Sequence, residues 1–192
     1  MKKTALLLVL FWGTVTFLQA EEFAQGAVNR REPKSKIRIQ NEVFFSVNES
    51  TPYSGTVFEL HENGQTKSEA TYFEGRRATG TTRIWYDNGQ PWSKEDYEST
   101  GILVTRTWHK NGKLKSVSRS KNGERDGKSQ SWYENGNPEN EESYRNGKLD
   151  GSCRSWYESG ILESERTYQN GQGTGVGRLY DRAGQLEREW RH

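Results

Sequence analysis

GKSQSWYENGNPENEESYRNG, from Gly127 to Gly147, and GSCRSWYESGILESERTYQNG, from Gly151 to Gly171, are one pattern written twice, 24 residues apart. The central glycine of this pattern recurs as Gly64, Gly89, Gly112, Gly136, Gly160 and Gly184, at intervals of 25, 23, 24, 24 and 24 residues. A period in the twenties means stacked supersecondary units, each too small to bury a face alone. Another glycine stands nine residues before the central one (Gly55, Gly80, Gly127, Gly151, Gly175), with Leu103 the exception. Four before it comes a large apolar or aromatic residue (Leu60, Trp85, Trp108, Trp132, Trp156, Tyr180), and three before it His61, Tyr86, His109, Tyr133, Tyr157 and Asp181. Eight after it are Tyr72, Tyr97, Tyr144 and Tyr168, with Ser120 and His192 departing.

Asn-Gly between β-rich runs is the strongest short hairpin signal, because a type I′ turn needs positive φ at both central residues. Each unit therefore reads as strand, Asn-Gly turn, strand, then a second Gly-containing turn at Gly75, Gly123, Gly147 or Gly171. Glycine punctuates too often for helices, and no 3.6-residue stripe persists. The fold expected is all-β: an elongated, single-layer antiparallel meander, twisted or curled, made of six hairpin repeats of about 24 residues. With Asn135-Gly136 as a two-residue turn, Tyr133 faces Pro138, Trp132 faces Glu139 and Gly127 faces Tyr144. The glycine would leave room for the tyrosine ring. Alternation then puts Tyr133 and Tyr144 on one face, and Trp132 with Glu69, Glu141, Glu165 and Glu189 on the other, unless a bulge intervenes.

Lys2 and Lys3, the apolar run Ala5 to Leu18 and the small Ala20 before Glu21 and Glu22 read as a secretory signal peptide over residues 1–20. The mature product is expected to be periplasmic or secreted, with no membrane-length apolar run after the signal. Residues 21–41 are aperiodic and read as a flexible leader, so the array runs over 42–192. Its candidate edge caps are Glu42 to Val47 and the charged tail Glu187 to His192.

Removing Lys2 and Lys3 leaves 26 basic against 26 acidic residues, a balance that excludes nucleic-acid binding by composition. Cys153 is the only cysteine, so no internal disulfide supports the fold, and it sits where sister units carry Val57, Thr82, Thr105 or Ser129. His61 and His109 fill the ring position of their units and His192 ends the chain; with no catalytic or metal-ligand motif, no enzyme activity and no cofactor or metal is expected.

The pattern G-x-x-x-x-W-Y-x-N-G-x-x-x-x-E-x-x-Y-x-x-G of Gly127 to Gly147, and the PYSG of Pro52 to Gly55, resemble the bacterial variant of the MORN repeat. Proteins built from it are commonly labelled YwqK-like antitoxins of toxin–antitoxin systems. The resemblance covers residues 42–192 and implies the repeat architecture. It also implies an antitoxin or immunity role as one alternative.

The functional reading of the residues themselves is an exported, non-catalytic scaffold whose partner is a protein. Trp85, Trp108, Trp132 and Trp156 form a column that serves packing or a contact strip, and Trp92, off-pattern beside Pro91, is a candidate exposed contact. Attachment to envelope glycan or a membrane surface is a further alternative, the latter weakened by zero mature charge.

Overall fold

Two kinds of turn alternate along the chain, and together they fold it back on itself every twelve residues or so. The computed structural model describes residues 30–78, 80–98 and 101–191; the expected signal segment, and the leader up to residue 29, lie outside the described residues. The strands are β1 (Arg31–Pro33), β2 (Ile37–Gln40), β3 (Val43–Ser46), β4 (Gly55–Leu60), β5 (Thr66–Phe73), β6 (Arg76–Arg77), β7 (Arg83–Trp85), β8 (Pro91–Tyr97) and β9 (Leu103–Trp108). They continue as β10 (Leu114–Lys121), β11 (Glu124–Arg125), β12 (Gly127–Trp132), β13 (Pro138–Arg145), β14 (Lys148–Trp156), β15 (Leu162–Gln169), β16 (Gln172–Tyr180) and β17 (Leu186–Arg191). One long sheet runs β1-β4-β5-β7-β8-β9-β10-β12-β13-β14-β15-β16-β17, with β6 paired to β5 and β11 to β10. Six successive hairpins, from β4–β5 to β16–β17, are the six repeats. The architecture is the open β-meander expected from the period, and every pairing in the long sheet is antiparallel except β1 with β4.

The turn chemistry differs from the expectation in an instructive way. The central Asn-Gly pairs do not form two-residue type I′ turns. Only the glycine is left-handed there (Gly136, φ 98°), the Gly136 N–H donates to the Tyr133 carbonyl, and the Tyr133 N–H donates to the Asn137 carbonyl. That is a three-residue loop closed by a left-handed glycine. Within the array, the two-residue turns with both residues at positive φ are the second set: Glu74-Gly75, Asn122-Gly123, Asn146-Gly147 and Asn170-Gly171.

The extra loop residue shifts the pairing near each central turn, so Trp132 pairs with Pro138 rather than Glu139. A bulge at Glu139 then takes the shift back, and from Ser131↔Asn140 to Gly127↔Tyr144 the pairing is the expected one. The glycine opposite Tyr144 does not make room for its ring, because a Cβ on Gly127 would meet Arg119 first. The idea holds elsewhere: Cβ atoms built at Gly80 and Gly177 would lie 2.5 Å from the Tyr97 ring and 2.4 Å from the Trp190 indole. Leu103 and Ser120, the two exceptions in the third unit, explain each other. They are paired across β9 and β10, so a small–large pair has become large–small.

The leader does not extend to residue 41 as expected. From Arg31 it forms β1, a 3-10 turn (Lys34–Lys36) and β2. β1 lies parallel to β4 and caps the first edge of the sheet, with Arg31 paired to Glu69 and stacked 4.4 Å over the Phe58 ring. The Glu42–Val47 segment is therefore not the edge cap. Instead β2 and β3 pair as a hairpin whose Ile37 and Phe44 cover Tyr53, Val57, Ala70 and Tyr72. The Phe44 and Tyr72 rings are 4.4 Å apart, and Tyr53 is wholly buried with its hydroxyl donating to the Thr56 carbonyl at 3.0 Å. This is the main apolar cluster. Farther along, Val104 and Val117 are the other buried apolar side chains among the described residues, so the array is held chiefly by ladder bonds and cross-strand pairs.

Candidate binding surface

Backbone alternation and the pairings divide the sheet into two faces, and each face carries continuous rows from strand to strand. The first row runs Glu69, Arg83, Lys94, Arg106, Val117, Gln130, Glu141, Arg154, Glu165, Arg178, Glu189, one residue per strand from β5 to β17. Trp132 lies two residues from Gln130 on an unbulged strand and so shares its face, as do Trp85, Trp108 and Trp156 in their units. This confirms the expected grouping of Trp132 with Glu69, Glu141, Glu165 and Glu189.

In the second half of this row opposite charges alternate. Arg178 reaches Glu165 at 2.9 Å and Glu189 at 3.0 Å, and Lys128 reaches Glu141 at 2.7 Å. Arg178 holds the Glu165 carboxyl below its usual range, helped by the Tyr180 hydroxyl and opposed by partial burial. In the first half three cations are in register, Arg83, Lys94 and Arg106, with Asp96 bridging the last two at 3.0 and 3.2 Å.

Beside this charged row is a second one at the loop edge. The one-residue shift places Trp85 opposite Pro91, Trp108 opposite Leu114, Trp132 opposite Pro138, Trp156 opposite Leu162 and Tyr180 opposite Leu186. The four tryptophans are half-buried, while Leu60 and Leu186 at the two ends are exposed. A continuous apolar stripe therefore runs the length of the indole face. Sequence reasoning missed its proline and leucine half because the assumed two-residue turn put Glu139 opposite Trp132. The signal was present as an apolar residue two positions after the central glycine in five of the six units (Pro91, Leu114, Pro138, Leu162, Leu186). Thr66 takes that place in the first unit, and beside it a hollow of about 460 Å³ opens between Thr66, Glu69, Trp85 and the turn glycines Gly64 and Gly89.

Trp92 does not belong to the stripe. It occupies the bulge position, where sister units carry Lys67, Lys115, Glu139, Glu163 and Glu187. Bulge residues point to the opposite face, as the bond from the Ser155 hydroxyl to Glu163 (3.0 Å) and the approach of Trp92 to Tyr86 (6.4 Å between centroids) show. Trp92 is 46% exposed there, so the five tryptophans singled out from sequence divide four to one between the faces.

Two ladders lock each unit to the next. Tyr86, Tyr133 and Tyr157 donate their hydroxyls to the carbonyls of Trp108, Trp156 and Tyr180 at 2.8–2.9 Å. His61 and His109 do the same through Nε2–H, to the carbonyls of Trp85 and Trp132 at 3.0 and 2.7 Å. Because a carbonyl only accepts, this bond fixes the tautomer. Asn63, Asn88, Asn111 and Asn135 donate to the carbonyls of Asp87, Lys110, Glu134 and Glu158, while their Oδ1 atoms accept from the N–H two residues on. Cys153 is half-buried in strand β14, and burial, followed by the charge of Glu142, pushes its thiol up.

Four segments of the chain, residues 53–74, 78–99, 125–146 and 149–170, match the family model described as the MORN repeat variant. The chain carries MORN repeats. The matched MORN segments coincide with the first, second, fourth and fifth hairpins, and the third, with its Leu103–Ser120 exchange, falls between them. No curated protein matches the chain at a significant level. Among solved structures, a protein of unknown function from Bacteroides fragilis aligns at 11% identity over 72% of this chain and 93% of its own, with a TM-score of 0.18. No helix among the described residues is long and apolar enough to cross a membrane.

Proposed function

We propose that this MORN-repeat chain is an exported, non-catalytic module that binds another protein along its indole face. The observation carrying this is the apolar stripe of Trp85, Trp108, Trp132, Trp156 and their Pro and Leu partners. It lies on a face where, among the described residues, strands β7 to β17 pack against their sheet neighbours. Contiguous apolar area left open in this way, bordered by fixed charges, is characteristic of protein-binding surfaces. The non-catalytic part of the reading is supported by His61 and His109, whose ring N–H groups are committed to the inter-repeat ladder. Export is supported by the sequence of residues 1–20, and the antitoxin role by family resemblance alone.

The test is affinity capture with the mature chain, followed by titration of the purified partner. Trp132→Ala with Trp156→Ala should weaken that partner at least tenfold, while Trp92→Ala on the other face leaves it unchanged. Circular dichroism verifies that both variants remain β-sheet. Undiminished binding by the double variant would exclude the stripe.

A further inference from the structure

The face opposite the indoles carries a different row: Ser93, Thr107, Ser116, Ser131, Asn140, Ser155 and Ser164, one small polar residue on each of seven successive strands. Several of these are tied to one another, Thr107 to Ser116 at 2.6 Å, Asn140 to Ser131 at 3.2 Å and Ser155 to Ser164 at 2.8 Å. In the third unit the neighbouring row is small as well. Ser118 stands where sister units carry Ala70, Glu95, Glu142, Arg166 and Trp190, and Ser120 stands where most carry tyrosine. The result is a cleft of about 280 Å³ over β10, β12 and β13, floored by Ser116, Ser118, Ser129 and Ser131 and walled by Asn140, Glu142 and Arg125.

Ser129 lines this cleft with only 7% of its surface exposed, and its Oγ, like that of Thr82 at the equivalent place of the second unit, has no hydrogen-bond partner among the described residues. A buried hydroxyl left unpaired is costly, and unlike Thr82, Ser129 borders a cleft in which a bound group could complete it. The wall charges cancel: Arg125 donates to the Tyr144 hydroxyl at 2.6 Å, that hydroxyl donates to Glu142 at 2.8 Å, and Arg125 lies 3.4 Å from the same carboxylate. Convergent hydroxyls that both donate and accept, an amide and an ion-paired carboxylate match a ligand that is itself uncharged and hydroxyl-rich.

We infer that this cleft binds a saccharide unit of a neutral glycan, with the hydroxyl row continuing the site to either side along the sheet. The site is separate from the indole face and does not depend on the protein-binding reading. The test uses the mature chain titrated calorimetrically with three neutral tetrasaccharides: maltotetraose, cellotetraose and chitotetraose. At least one should bind. Ser118→Glu restores the residue that the second and fourth units accommodate and fills the cleft, so it should abolish binding while the fold persists. Ser129→Ala should weaken binding about tenfold yet leave the free protein as stable or more so, a pairing that a purely structural serine would not give. Trp132→Ala with Trp156→Ala should leave the titration unchanged. Failure of all three sugars to bind, or binding that survives Ser118→Glu, would overturn the proposal, as would loss of binding in the tryptophan variant alone.

Discussion

At the scale of single residues, the conserved-looking positions of the repeat are those that satisfy the backbone of the next unit. His109 and Tyr133 are chemically different, yet each places one N–H or O–H on a tryptophan carbonyl. His109→Tyr should therefore be nearly neutral, whereas His109→Phe leaves the Trp132 carbonyl without its side-chain donor and should cost about 1 kcal/mol in urea denaturation. Equal stability of the Phe and Tyr variants would show that the ring acts by packing alone. Asn135 contributes in both directions, capping its own loop through Oδ1 and bonding to Glu158 through Nδ2. Asn135→Asp keeps the acceptor and loses the donor. It should cost less than Asn135→Ala, by about 0.5–1 kcal/mol in the same measurement.

At the scale of elements, the hairpin period and the two faces could be read from sequence because β alternation is strict and glycine marks each turn. The turn type could not be read, because Asn-Gly suits both a two-residue turn and the last two places of a three-residue loop. The three-residue loop is held both by the Asn137 N–H bond to Asn135 Oδ1 and by the bond of Asn135 to the next loop, and the second of these comes from a distant part of the chain. For the same reason the charged row was half visible: the glutamates were placed on one face, but their alternation with Arg154 and Arg178 follows from strand pairing. The leader residues Arg31–Gln40 carry no period, and their order comes from tertiary contacts with β4 and the Tyr53–Tyr72 cluster. Ser120→Tyr alone sets a large ring against Leu103 and should destabilise the protein by about 1–3 kcal/mol. Adding Leu103→Gly restores the arrangement of the sister units and should recover most of that loss, giving a non-additive double-mutant cycle. Additive effects would show that the two exceptions are unrelated.

At the scale of the whole molecule, stability is a sum of near-equal interfaces between neighbours rather than the property of one core. Its pH dependence follows from the ion pairs. Lys34 lowers the proton affinity of Glu59, and Arg178 that of Glu165, each below the ordinary glutamate value of 4.5. For a carboxyl depressed on folding, the stabilisation is complete above the unfolded value and disappears as pH falls through the folded one. The urea midpoint should therefore be flat from neutrality to about pH 5 and decline below 4.5, and Glu165→Gln should reduce that decline. The same nearest-neighbour logic predicts how the array tolerates surgery. Removing Gly127 to Asp150 joins Asp126 to Gly151, the equivalent glycine one unit on, so alternation, both ladders and the stripe all continue in phase. A five-unit chain of this kind should fold cooperatively, with a melting temperature only a few degrees lower. Removing Glu139 to Asp150 instead deletes one bulged strand and its turn and sends the next strand in the wrong direction, and that chain should not fold. Should the 24-residue deletion unfold the protein while other contacts are untouched, the fourth unit would have to hold something its sisters do not, contrary to the equivalence of its ladder bonds with those on either side.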